Sequence, residues 1–392
     1  MILEEWLMQR FGAEKFAPGL ERVRTFVAPY LSEIARLKPV IITVAGTNGK
    51  GQTAMSLAHH LKHNKKSFAL WTSPHIERVS ERYVSEAGEI DSALLRELLE
   101  FEAARAQAQM VGLSYYEILW AAFLRWVTLT PKEFLVLEVG LGGRLDAVNL
   151  LDAQIVALTS ISRDHQEYLG GRYELILQEK LGVLRKGASL FSALESQYLN
   201  QRVERHSKTL GYRWFNVITQ TGSQSSFWER NELLSQSIIE SLALNRASSP
   251  HHYLARGESQ KYKGHEFVFY GSHNPDGARK LIQLLQHKTY NFTQNRFDSV
   301  WVAMSQRSET DLSAMAKIFT QFQACGMPVC FTLFQHPKAA VKSGWWQSTK
   351  ALYFDEWKDL LEQLEQRAGQ KILVTGSYYF IAQLKSFFSQ GR

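Results

Sequence analysis

The most informative part of the chain is the stretch Pro39-Val-Ile-Ile-Thr-Val-Ala-Gly-Thr-Asn-Gly-Lys-Gly-Gln-Thr53. Its apolar first half predicts a buried β-strand, and the residues after it predict a helix. Glycines between a strand and a helix let backbone N–H groups point at phosphate oxygens, and the helix N-terminus adds its positive end. The stretch therefore predicts a phosphate-binding loop that comprises Gly46, Thr47, Asn48, Gly49, Lys50, Gly51, Gln52 and Thr53.

Two details of this loop bear on the interpretation. The spacing departs from the standard G-x-x-x-x-G-K-[ST] motif, because Gly46 and Lys50 are closer together. The alternative interpretation is a plain glycine turn between a strand and a helix. A lysine between two glycines has little packing role, whereas it is placed to reach the outer phosphates of a nucleotide, which favours the phosphate loop.

Similar apolar runs recur through the first half of the chain. They span residues 66–72, 133–139 and 153–159, and helical patterns such as 53–63 and 115–127 lie between the runs. Continuously apolar strands separated by helices are typical of a parallel sheet with helices on both faces. We therefore predict an α/β fold whose first domain has a parallel sheet and a phosphate loop.

A second domain is indicated near residue 250, since 392 residues exceed the usual domain size of about 100–200 residues. The pattern weakens over 187–224, a helical stretch covers 226–247, and a polar bridge follows at 248–253. Shorter strand patterns then recur at 266–270, 299–303, 328–332 and 371–375. We predict domains at 1–247 and 256–392, the second being a smaller α/β domain.

The charge balance favours small anionic ligands. The chain has 45 Lys and Arg against 38 Asp and Glu, a formal net charge of +7, and its hydrophobic fraction of 45% is that of a globular protein. Nucleic-acid-binding proteins concentrate basic residues in a patch, and the basic runs here, such as 60–66, are short. We therefore expect a phosphorylated or carboxylated substrate and no nucleic acid.

The cysteine content and the apolar runs bear on the cellular location of the protein. The chain has two cysteines, Cys325 and Cys330, too few for a disulfide framework or a Cys/His metal cluster, and we expect both as thiols. The N-terminal residues lack the order of a signal peptide, and no run of about 18 apolar residues occurs. We predict a cytoplasmic protein with no membrane partner.

Three more motifs each follow a predicted strand. Thr72-Ser-Pro-His-Ile-Glu-Arg78 places a hydroxyl before a proline, where the backbone is extended, although such a segment is more often a capped turn. Glu138 precedes three glycines that leave room for a ligand, although a plain strand-to-loop exit explains it equally. Asp164 and His165 follow the next strand, and a lone Asp-His pair is usually a hydrogen-bonded loop pair.

The four motifs together are more informative than any one of them. Ligands of open α/β sheets bind beyond the carboxyl ends of the strands, so motifs that follow successive strands are expected to converge. Mg²⁺ prefers oxygen ligands and keeps several waters. Ser73, Glu138 and His165 would therefore make an open, weakly bound magnesium site.

Taken together, these motifs resemble those of the folylpolyglutamate synthase and dihydrofolate synthase family, within the larger group of ATP-dependent Mur ligases. Matching segments extend over most of the chain: Gly19-Leu-Glu-Arg22, Gly46 to Gly51, Ser73-Pro-His, Glu138 to Asp146, Asp164-His165, Glu179-Lys180, Arg256, Ser272-His-Asn-Pro275 and Val374-Thr-Gly-Ser377. The resemblance implies a Mur ligase-like fold, with a phosphate-loop ATPase domain followed by a smaller Rossmann-like domain.

Site residues are also implied by the resemblance. The loop with Lys50 would bind ATP, together with Asn231 and Arg256, although Arg256 is alternatively a surface linker arginine. The pterin would contact Gly19, Leu20, Glu21, Arg22, Ser114, Glu117, Leu145, Asp146 and Ala147. Magnesium would be held by Ser73, Glu138, His165 and a carbamylated Lys180. Catalysis would depend on Lys50, His165, Lys180 and His273, the last near the glutamate or phosphate site of the second domain.

The implied reaction joins glutamate to a carboxylate of dihydropteroate or folate. ATP phosphorylates that carboxylate, the glutamate amine attacks the acyl phosphate, and an amide forms. Both transfers build negative charge, so fixed cations and N–H dipoles would supply most of the catalysis. The resemblance implies a monomeric, bifunctional enzyme that uses ATP and Mg²⁺. It leaves open whether the enzyme also uses a monovalent cation.

Several positions depart from the family pattern. Gln52 stands where the family has Ser or Thr, although Thr53 can supply a hydroxyl, and Tyr270 stands where the family has Asp. Leu181 replaces an alanine, and residues 305–309 replace an Asp-Lys-Asp segment. The stretch around 190–225 is shorter, and we expect its β segment to be trimmed.

These departures leave two alternatives to an active folate ligase. One is a degenerate homologue that binds nucleotide or folate without catalysis. The other is a Mur-type ligase for a different acid, against which the segment Gly19-Leu-Glu-Arg22 argues. We expect the active ligase, because nearly every chemical residue of the first domain is present.

Overall fold

The computed structural model describes residues 3–12, 19–218, 226–248, 256–286, 296–342, 344–346, 349, 351–365 and 369–390, without the side chains of residues 167, 256 and 365. The chain divides into two compact units, Met1–Ser249 and Pro250–Arg392. We call them the first unit and the second unit and describe each by itself.

A mainly parallel sheet forms the centre of the first unit. Its strands are β1 (Val40–Ala45), β2 (Phe68–Trp71), β3 (Tyr83–Ser85), β4 (Gly88–Glu89), β5 (Phe134–Glu138), β6 (Ile155–Leu158), β7 (Ser189–Ser192) and β8 (Arg213–Asn216). Their order across the sheet is β4-β3-β2-β5-β1-β6-β7-β8. The six strands β2, β5, β1, β6, β7 and β8 pair parallel with their neighbours, while β3 pairs antiparallel with both β2 and β4 at one edge.

Helices cover both faces of this sheet. They are α1 (Leu3–Phe11), α2 (Glu21–Leu37), α3 (Lys50–His63), α4 (Ser92–Ala108), α5 (Tyr115–Leu129), α6 (Gln166–Leu169), α7 (Tyr173–Leu181), α8 (Gln197–Leu210) and α9 (Phe227–Ser241). On one face, Leu135 and Leu137 belong to a core with α2, α4 and α5. On the other face, Phe134 and Val136 pack with α3 and α9. Alternate residues of one strand thus enter different cores, which explains the continuous apolar runs.

The order of the central strands determines where the candidate site lies. β2, β5, β1 and β6 are adjacent and parallel, and they are the strands that precede the four motifs. Glu138 at the end of β5 is paired with Val44 in β1, and Ala45 is paired with Leu158 at the end of β6. The four motifs therefore leave the same edge of the sheet from neighbouring strands, as expected.

In its described residues, the second unit has a smaller sheet of six strands. These are β9 (Arg256–Tyr262), β10 (His265–Tyr270), β11 (Ser299–Ala303), β12 (Val329–Thr332), β13 (Leu352–Phe354) and β14 (Lys371–Gly376), in the order β13-β12-β11-β14-β10-β9. Only β9 pairs antiparallel among them. Its helices are α10 (Pro275–Gln286), α11 (Glu309–Phe319), α12 (Gln321–Ala324), α13 (Trp357–Glu365) and α14 (Tyr378–Gln390). The predicted fold class is confirmed: both units are α/β, and the second has the smaller sheet.

The stretch of weak pattern contains β7, α8 and β8, whose polar outer residues hide their periodicity from the sequence. One expectation about secondary structure was wrong. The helix predicted over 226–247 ends as α9 at Ser241, and a turn at Ala243 with a φ of 55° follows it. Residues that adopt a positive φ end a helix because the i to i−4 hydrogen-bond pattern stops there.

Two simpler expectations can be compared with the described residues. Cys325 and Cys330 are not disulfide-bonded, as expected. Among the described helices, none is both long enough and apolar enough to cross a membrane.

Candidate functional site

The loop between β1 and α3 is the centre of the candidate site. Gly49, immediately before α3, has a φ of 88°, which is in the left-handed region that favours glycine. A Cβ on Gly49 would lie 2.4 Å from Asn231 Nδ2, and one on Gly46 would lie 1.9 Å from Thr159 Oγ1. Both positions therefore require glycine, because neighbouring groups occupy the space of a side chain.

Hydroxyl groups that follow β6 hold the loop in place. Thr47 N donates to Ser160 O (2.8 Å), and Thr47 Oγ1 donates to Ser162 O (3.1 Å). Ser160 Oγ accepts from Asn48 N (3.0 Å) and donates to Asn48 O (3.0 Å). Thr159 Oγ1 also donates to Asn48 O (2.7 Å). These contacts fix the backbone of the loop from the neighbouring strand.

Two lysine side chains reach the carbonyl groups of the same loop. Lys50 Nζ donates to Thr47 O (3.2 Å), and Lys180 Nζ from α7 donates to Gly46 O (2.8 Å). Lys180 is only 4% exposed. Burial and, after it, the positive charge of Lys50 lower the pKa of Lys180 to about 7. Lys50 brings positive charge to the loop, where an anionic ligand would benefit from it.

Ser73 and Glu138 lie beside each other at the ends of β2 and β5. Ser73 N donates to Glu138 Oε2 (3.1 Å), and Glu138 is 4% exposed. The Oγ atom of Ser73 is buried and has no hydrogen-bond partner within the described part of the chain. A buried hydroxyl oxygen without a partner normally costs free energy, so this atom is suited to a ligand.

His165 follows β6 and precedes α6. Its backbone is left-handed with a φ of 49°, and its N–H donates to Asp164 Oδ1 (3.0 Å). The Nε2 atom of His165 lies 3.9 Å from Asp164 Oδ2, and the imidazole is 41% exposed. Asp164 is buried. The pair is thus a local contact, as the plainer interpretation of the motif predicted, with an imidazole that remains open to solvent.

The residues at this edge fit a hard divalent cation held by few protein ligands. Ser73 and Glu138 supply oxygen atoms, and His165 would add one imidazole. No group of three His, Cys, Asp or Glu side chains that could hold a metal ion occurs among the described residues. Such a sparse set suits Mg²⁺, which keeps several waters and is shared with substrate phosphates.

Two of the segments predicted to bind the pterin are joined by an ion pair. Gly19 and Leu20 precede α2, and Glu21 is exposed in its first turn. Arg22 Nη2 donates to Glu117 Oε2 (2.6 Å), which also accepts from Ser114 N (2.7 Å). Ser114 Oγ in turn accepts from Glu117 N (3.3 Å) and so caps α5. Ser114 and Glu117 therefore have a clear structural role, and their contact with a pterin stays a prediction.

Asp146 shapes the loop that follows β5. The carboxylate accepts hydrogen bonds from Leu141 N (2.9 Å), Val148 N (3.0 Å) and Tyr116 Oη (3.1 Å). It is 3% exposed, and burial raises its pKa in spite of these donors. The neighbouring Leu145 is half-buried and Ala147 is buried. Asp146 thus supports the loop from inside, whereas its contact with a pterin stays a prediction.

The side chain of Gln52 contacts α9. Its Nε2 donates to Trp228 O (3.2 Å), and its Oε1 accepts from Asn231 Nδ2 (2.9 Å). Asn231 is 1% exposed, and its Oδ1 has no hydrogen-bond partner in the described residues. The same is true of Thr53 Oγ1, which is fully buried. Arg256 begins β9 in the second unit, where only its backbone is described.

The remaining predicted residue, His273, follows β10 in the second unit. Its ring centroid lies 5.3 Å from that of Tyr378. Asn274 next to it is fully buried, and its Oδ1 accepts from Gly277 N (2.7 Å) at the beginning of α10. A Cβ on Gly271 would lie 2.0 Å from the Tyr378 ring. The segment after β10 is thus held tightly against the beginning of α14.

Known folylpolyglutamate synthases and dihydrofolate synthases are similar to this chain in sequence and in fold. No family model matches the chain. A dihydrofolate synthase/folylpolyglutamate synthase of Bacillus subtilis is 24% identical over 96% of this chain and 95% of its own length. The protein of the same name from Escherichia coli is 37% identical, over 47% of this chain and 43% of that protein. The stronger identity is therefore confined to less than half of that relative.

Solved structures extend the comparison to the whole chain. A bifunctional folylpolyglutamate synthase/dihydrofolate synthase crystallised with Mn, AMPPNP and L-glutamate matches with a TM-score of 0.81. The match covers 99% of this chain and 98% of that chain at 22% sequence identity, so it shows the fold. The chain is therefore similar, in sequence and in fold, to folylpolyglutamate synthases and dihydrofolate synthases. The Mur ligase-like fold that the resemblance implied is confirmed.

Three of the positions that depart from the folylpolyglutamate synthase pattern, Gln52, Leu181 and Tyr270, are buried. Leu181 is 2% exposed in the core of the first unit, and Tyr270 is 7% exposed in the core of the second. Thr375 Oγ1 donates to Tyr270 O (2.7 Å). Ser305 Oγ donates to Ser377 Oγ (2.7 Å), which links the ends of β11 and β14. These departures are accommodated by packing within each unit.

Part of the candidate site was not predicted from the sequence. The expected groups in residues 159–165 were the acid and the imidazole, whereas Thr159, Ser160 and Ser162 make the contacts with the loop. Three small hydroxyl residues directly after a buried strand were the available signal. The contact of Gln52 with Asn231 could not be found in this way, because the two residues are 179 positions apart.

Proposed function

We propose that this chain is an ATP-dependent ligase that adds L-glutamate to dihydropteroate, to folate, or to both. The observation that carries the proposal is the phosphate loop with Lys50 and Lys180 bonded to its carbonyls, beside Ser73 and Glu138. A relative of the same fold binds Mn, AMPPNP and L-glutamate. A nucleotide, a cation and glutamate are the components that such a ligation requires.

The reaction proceeds in two displacements. A carboxylate oxygen of the acceptor attacks the γ-phosphorus of ATP, and ADP leaves. The glutamate amine then attacks the acyl carbon, loses a proton, and expels inorganic phosphate. The backbone N–H groups of the loop and Lys50 stabilise the charge that builds on the phosphoryl oxygens, as fixed dipoles and cations do in other acyl and phosphoryl transfers.

Ser73, Glu138 and His165 would hold Mg²⁺, which supplies charge neutralisation at the phosphates when bound. Lys180 would contribute to a second cation after carbamylation. That step joins the amine nitrogen to carbon dioxide, forms a carbamate and releases a proton. Only the neutral amine reacts, and a pKa of about 7 leaves much of Lys180 neutral near physiological pH.

The other predicted residues have proposed roles at the substrates. Asn231 and Arg256 contact the nucleotide, and His273 acts near the glutamate or the phosphate. Residues near Arg22, Glu117 and Asp146 surround the pterin, namely Gly19, Leu20, Glu21, Ser114, Leu145 and Ala147. The ion pair of Arg22 with Glu117 supports this grouping, since it joins two of the segments. We also propose that the protein acts in the cytoplasm as a monomer.

The test is product formation by the purified chain with ATP, Mg²⁺ and glutamate. Dihydropteroate and tetrahydrofolate are offered separately, and ADP release and product mass are followed. We expect ADP release that depends on glutamate and an acceptor, together with a product one glutamate heavier. ATP binding without ADP release for either acceptor would contradict the proposal and favour the degenerate homologue, for which the departures at Gln52 and Tyr270 are the supporting observation.

A further inference from the structure

One face of α3 carries a row of polar side chains that meet α9. Gln52, Ser56 and His60 are spaced four apart, so they lie on the same face of the helix, and Asn64 continues this row immediately after its end. We call this row the α3 seam. Polar residues on a buried helix face are retained only where each finds a partner, so the partners indicate what the seam does.

The distal part of the seam, away from the loop, joins α3 to α9 and to the segment that follows it. Ser56 Oγ lies 2.7 Å from Glu232 Oε2 and 2.6 Å from Ser235 Oγ. His60 Nδ1 accepts from Ala247 N (2.9 Å), which leaves the hydrogen on Nε2, 3.2 Å from Glu232 Oε1. Asn64 Nδ2 donates to Asn245 O (2.8 Å) at the far end. This part is a helix-to-helix connection.

The proximal end of the seam is different because it meets the phosphate loop. Gln52 is 6% exposed, and its amide bonds Trp228 O and Asn231 Nδ2. Asn231 Nδ2 is the atom that a Cβ on Gly49 would approach to 2.4 Å. Gln52 therefore fixes the orientation of the Asn231 amide, which packs directly on the left-handed glycine of the loop.

We propose that Gln52 is a positioning residue for the phosphate loop and acts through Asn231. The inference rests on the proposed function, because the ligand positioned is the triphosphate of ATP. Backbone N–H groups bind phosphate well only if the loop geometry is held, and Gly49 is the residue at which the loop enters α3. A Ser or Thr at this position would contact the ligand through its hydroxyl. Gln52 instead supports the backbone that binds the ligand.

Calorimetric titration with AMPPNP and Mg²⁺ tests this inference without requiring turnover. The variants are Gln52→Met, which keeps the volume, Asn231→Ala, and the double variant. Each single change leaves buried polar atoms unpaired next to the loop, so AMPPNP should bind about tenfold more weakly. The double variant should be little weaker than Asn231→Ala alone, because Gln52 acts on the loop through Asn231.

Ser56→Ala is the matched control, since it removes seam contacts one turn farther from the loop. It should lower thermal stability to an extent similar to Gln52→Met while leaving the affinity for AMPPNP unchanged. Equal loss of affinity in Ser56→Ala and Gln52→Met would overturn the inference, because the effect would then follow general helix packing. Additive effects of Gln52→Met and Asn231→Ala would overturn it as well.

Gln52→Ser separates the two interpretations of this position and provides a second variant if Gln52→Met does not fold. A positioning residue predicts weaker binding of AMPPNP, since serine cannot reach Asn231. Tighter binding would show that Gln52 is an impaired phosphate contact and would overturn the inference. Failure of the unaltered protein to bind AMPPNP would contradict the proposed function too, whereas normal binding with an unaffected Gln52→Met contradicts this inference alone.

Discussion

Lys180 Nζ lies 2.8 Å from the carbonyl oxygen of Gly46, so a buried amine from α7 is bonded to the first glycine of the phosphate loop. Lys50 bonds the carbonyl of Thr47 in the same loop. An amine that is 4% exposed with a pKa of about 7 is costly to keep protonated. The position of this amine on the loop therefore indicates a functional role. Its lowered pKa can be tested through the pH dependence of stability.

Lys180 should make stability depend on pH in a defined direction. Its pKa is about 7 in the folded protein and 10.5 for an ordinary lysine, so the unfolded chain holds more protons between these values. Stability from this group is therefore lowest below pH 7 and rises as the pH increases toward 10.5. Lys180→Met should raise the free energy of unfolding in urea at about pH 6 by more than about 1 kcal/mol and flatten the rise above pH 7.

Lys186→Met serves as the control, because Lys186 is an exposed lysine shortly after α7. It should leave the pH dependence of the unfolding free energy as it is. A Lys180→Met variant with the pH profile of the unaltered protein would mean that Lys180 is not held neutral by burial.

Lys50→Met should abolish ATP turnover. Removal of a fixed cation at developing phosphoryl charge typically lowers kcat by about 100-fold to 1,000-fold. The measurement is glutamate-dependent ADP release at saturating ATP. Lys62→Met changes an exposed lysine on the same helix and should retain activity. Comparable rates for the two variants would show that the phosphate loop does not act through Lys50.

Glu138→Gln should raise the Mg²⁺ concentration needed for AMPPNP binding by about tenfold, because an amide oxygen is a weaker ligand of a hard cation than a carboxylate. The half-maximal Mg²⁺ concentration is read from a titration at fixed nucleotide. Glu133→Gln is the control at the exposed beginning of the same strand. An unchanged Mg²⁺ requirement in Glu138→Gln would remove this residue from the cation site.

Tyr116→Phe should raise the KM for the acceptor more than the KM for ATP. The Tyr116 hydroxyl donates to Asp146 Oδ1 and accepts from Trp71 Nε1 (3.2 Å), so its loss weakens support of the loop after β5. We expect about 1 kcal/mol of lost stability and a higher KM for the acceptor with little change in the KM for ATP.

Tyr212→Phe tests whether the effect of Tyr116→Phe is specific. Tyr212 also makes hydrogen bonds through its hydroxyl, to Val203 O and His206, at the other end of the sheet. A similar loss of stability with an unchanged KM for the acceptor would support the role of the Asp146 loop. Equal effects of the two variants on that KM would argue for general destabilisation.

The central architecture could be predicted because the sequence pattern of its strands is local. β1, β5 and β6 are buried on both faces, so each is an apolar run that ends where a motif begins. Short strands at or next to a sheet edge, such as β3 and β13, have three residues each, with part of their surface exposed, and only their pairing makes them strands. Pairing is a long-range property that such short segments do not reveal.

The same distinction applies to the candidate site. Glycine and lysine at the loop carry a local signal, since backbone geometry and charge follow from residue type. The bonds from Lys180 to Gly46 and from Asn231 to Gln52 join residues that are 134 and 179 positions apart. Asp146 shows that a local signal can also be ambiguous. A carboxylate in the loop after a strand is a candidate for a ligand contact, yet the side chain of Asp146 accepts a hydrogen bond from Val148 N within its own loop.

The most direct test of the account is the fate of a labelled oxygen. An acceptor with ¹⁸O in the reacting carboxylate is incubated with the protein, ATP, Mg²⁺ and glutamate, and the released phosphate is analysed by mass spectrometry. An acyl phosphate transfers one carboxylate oxygen to phosphorus, so the account predicts inorganic phosphate with a single ¹⁸O and an amide product. Phosphate released without the label would contradict it.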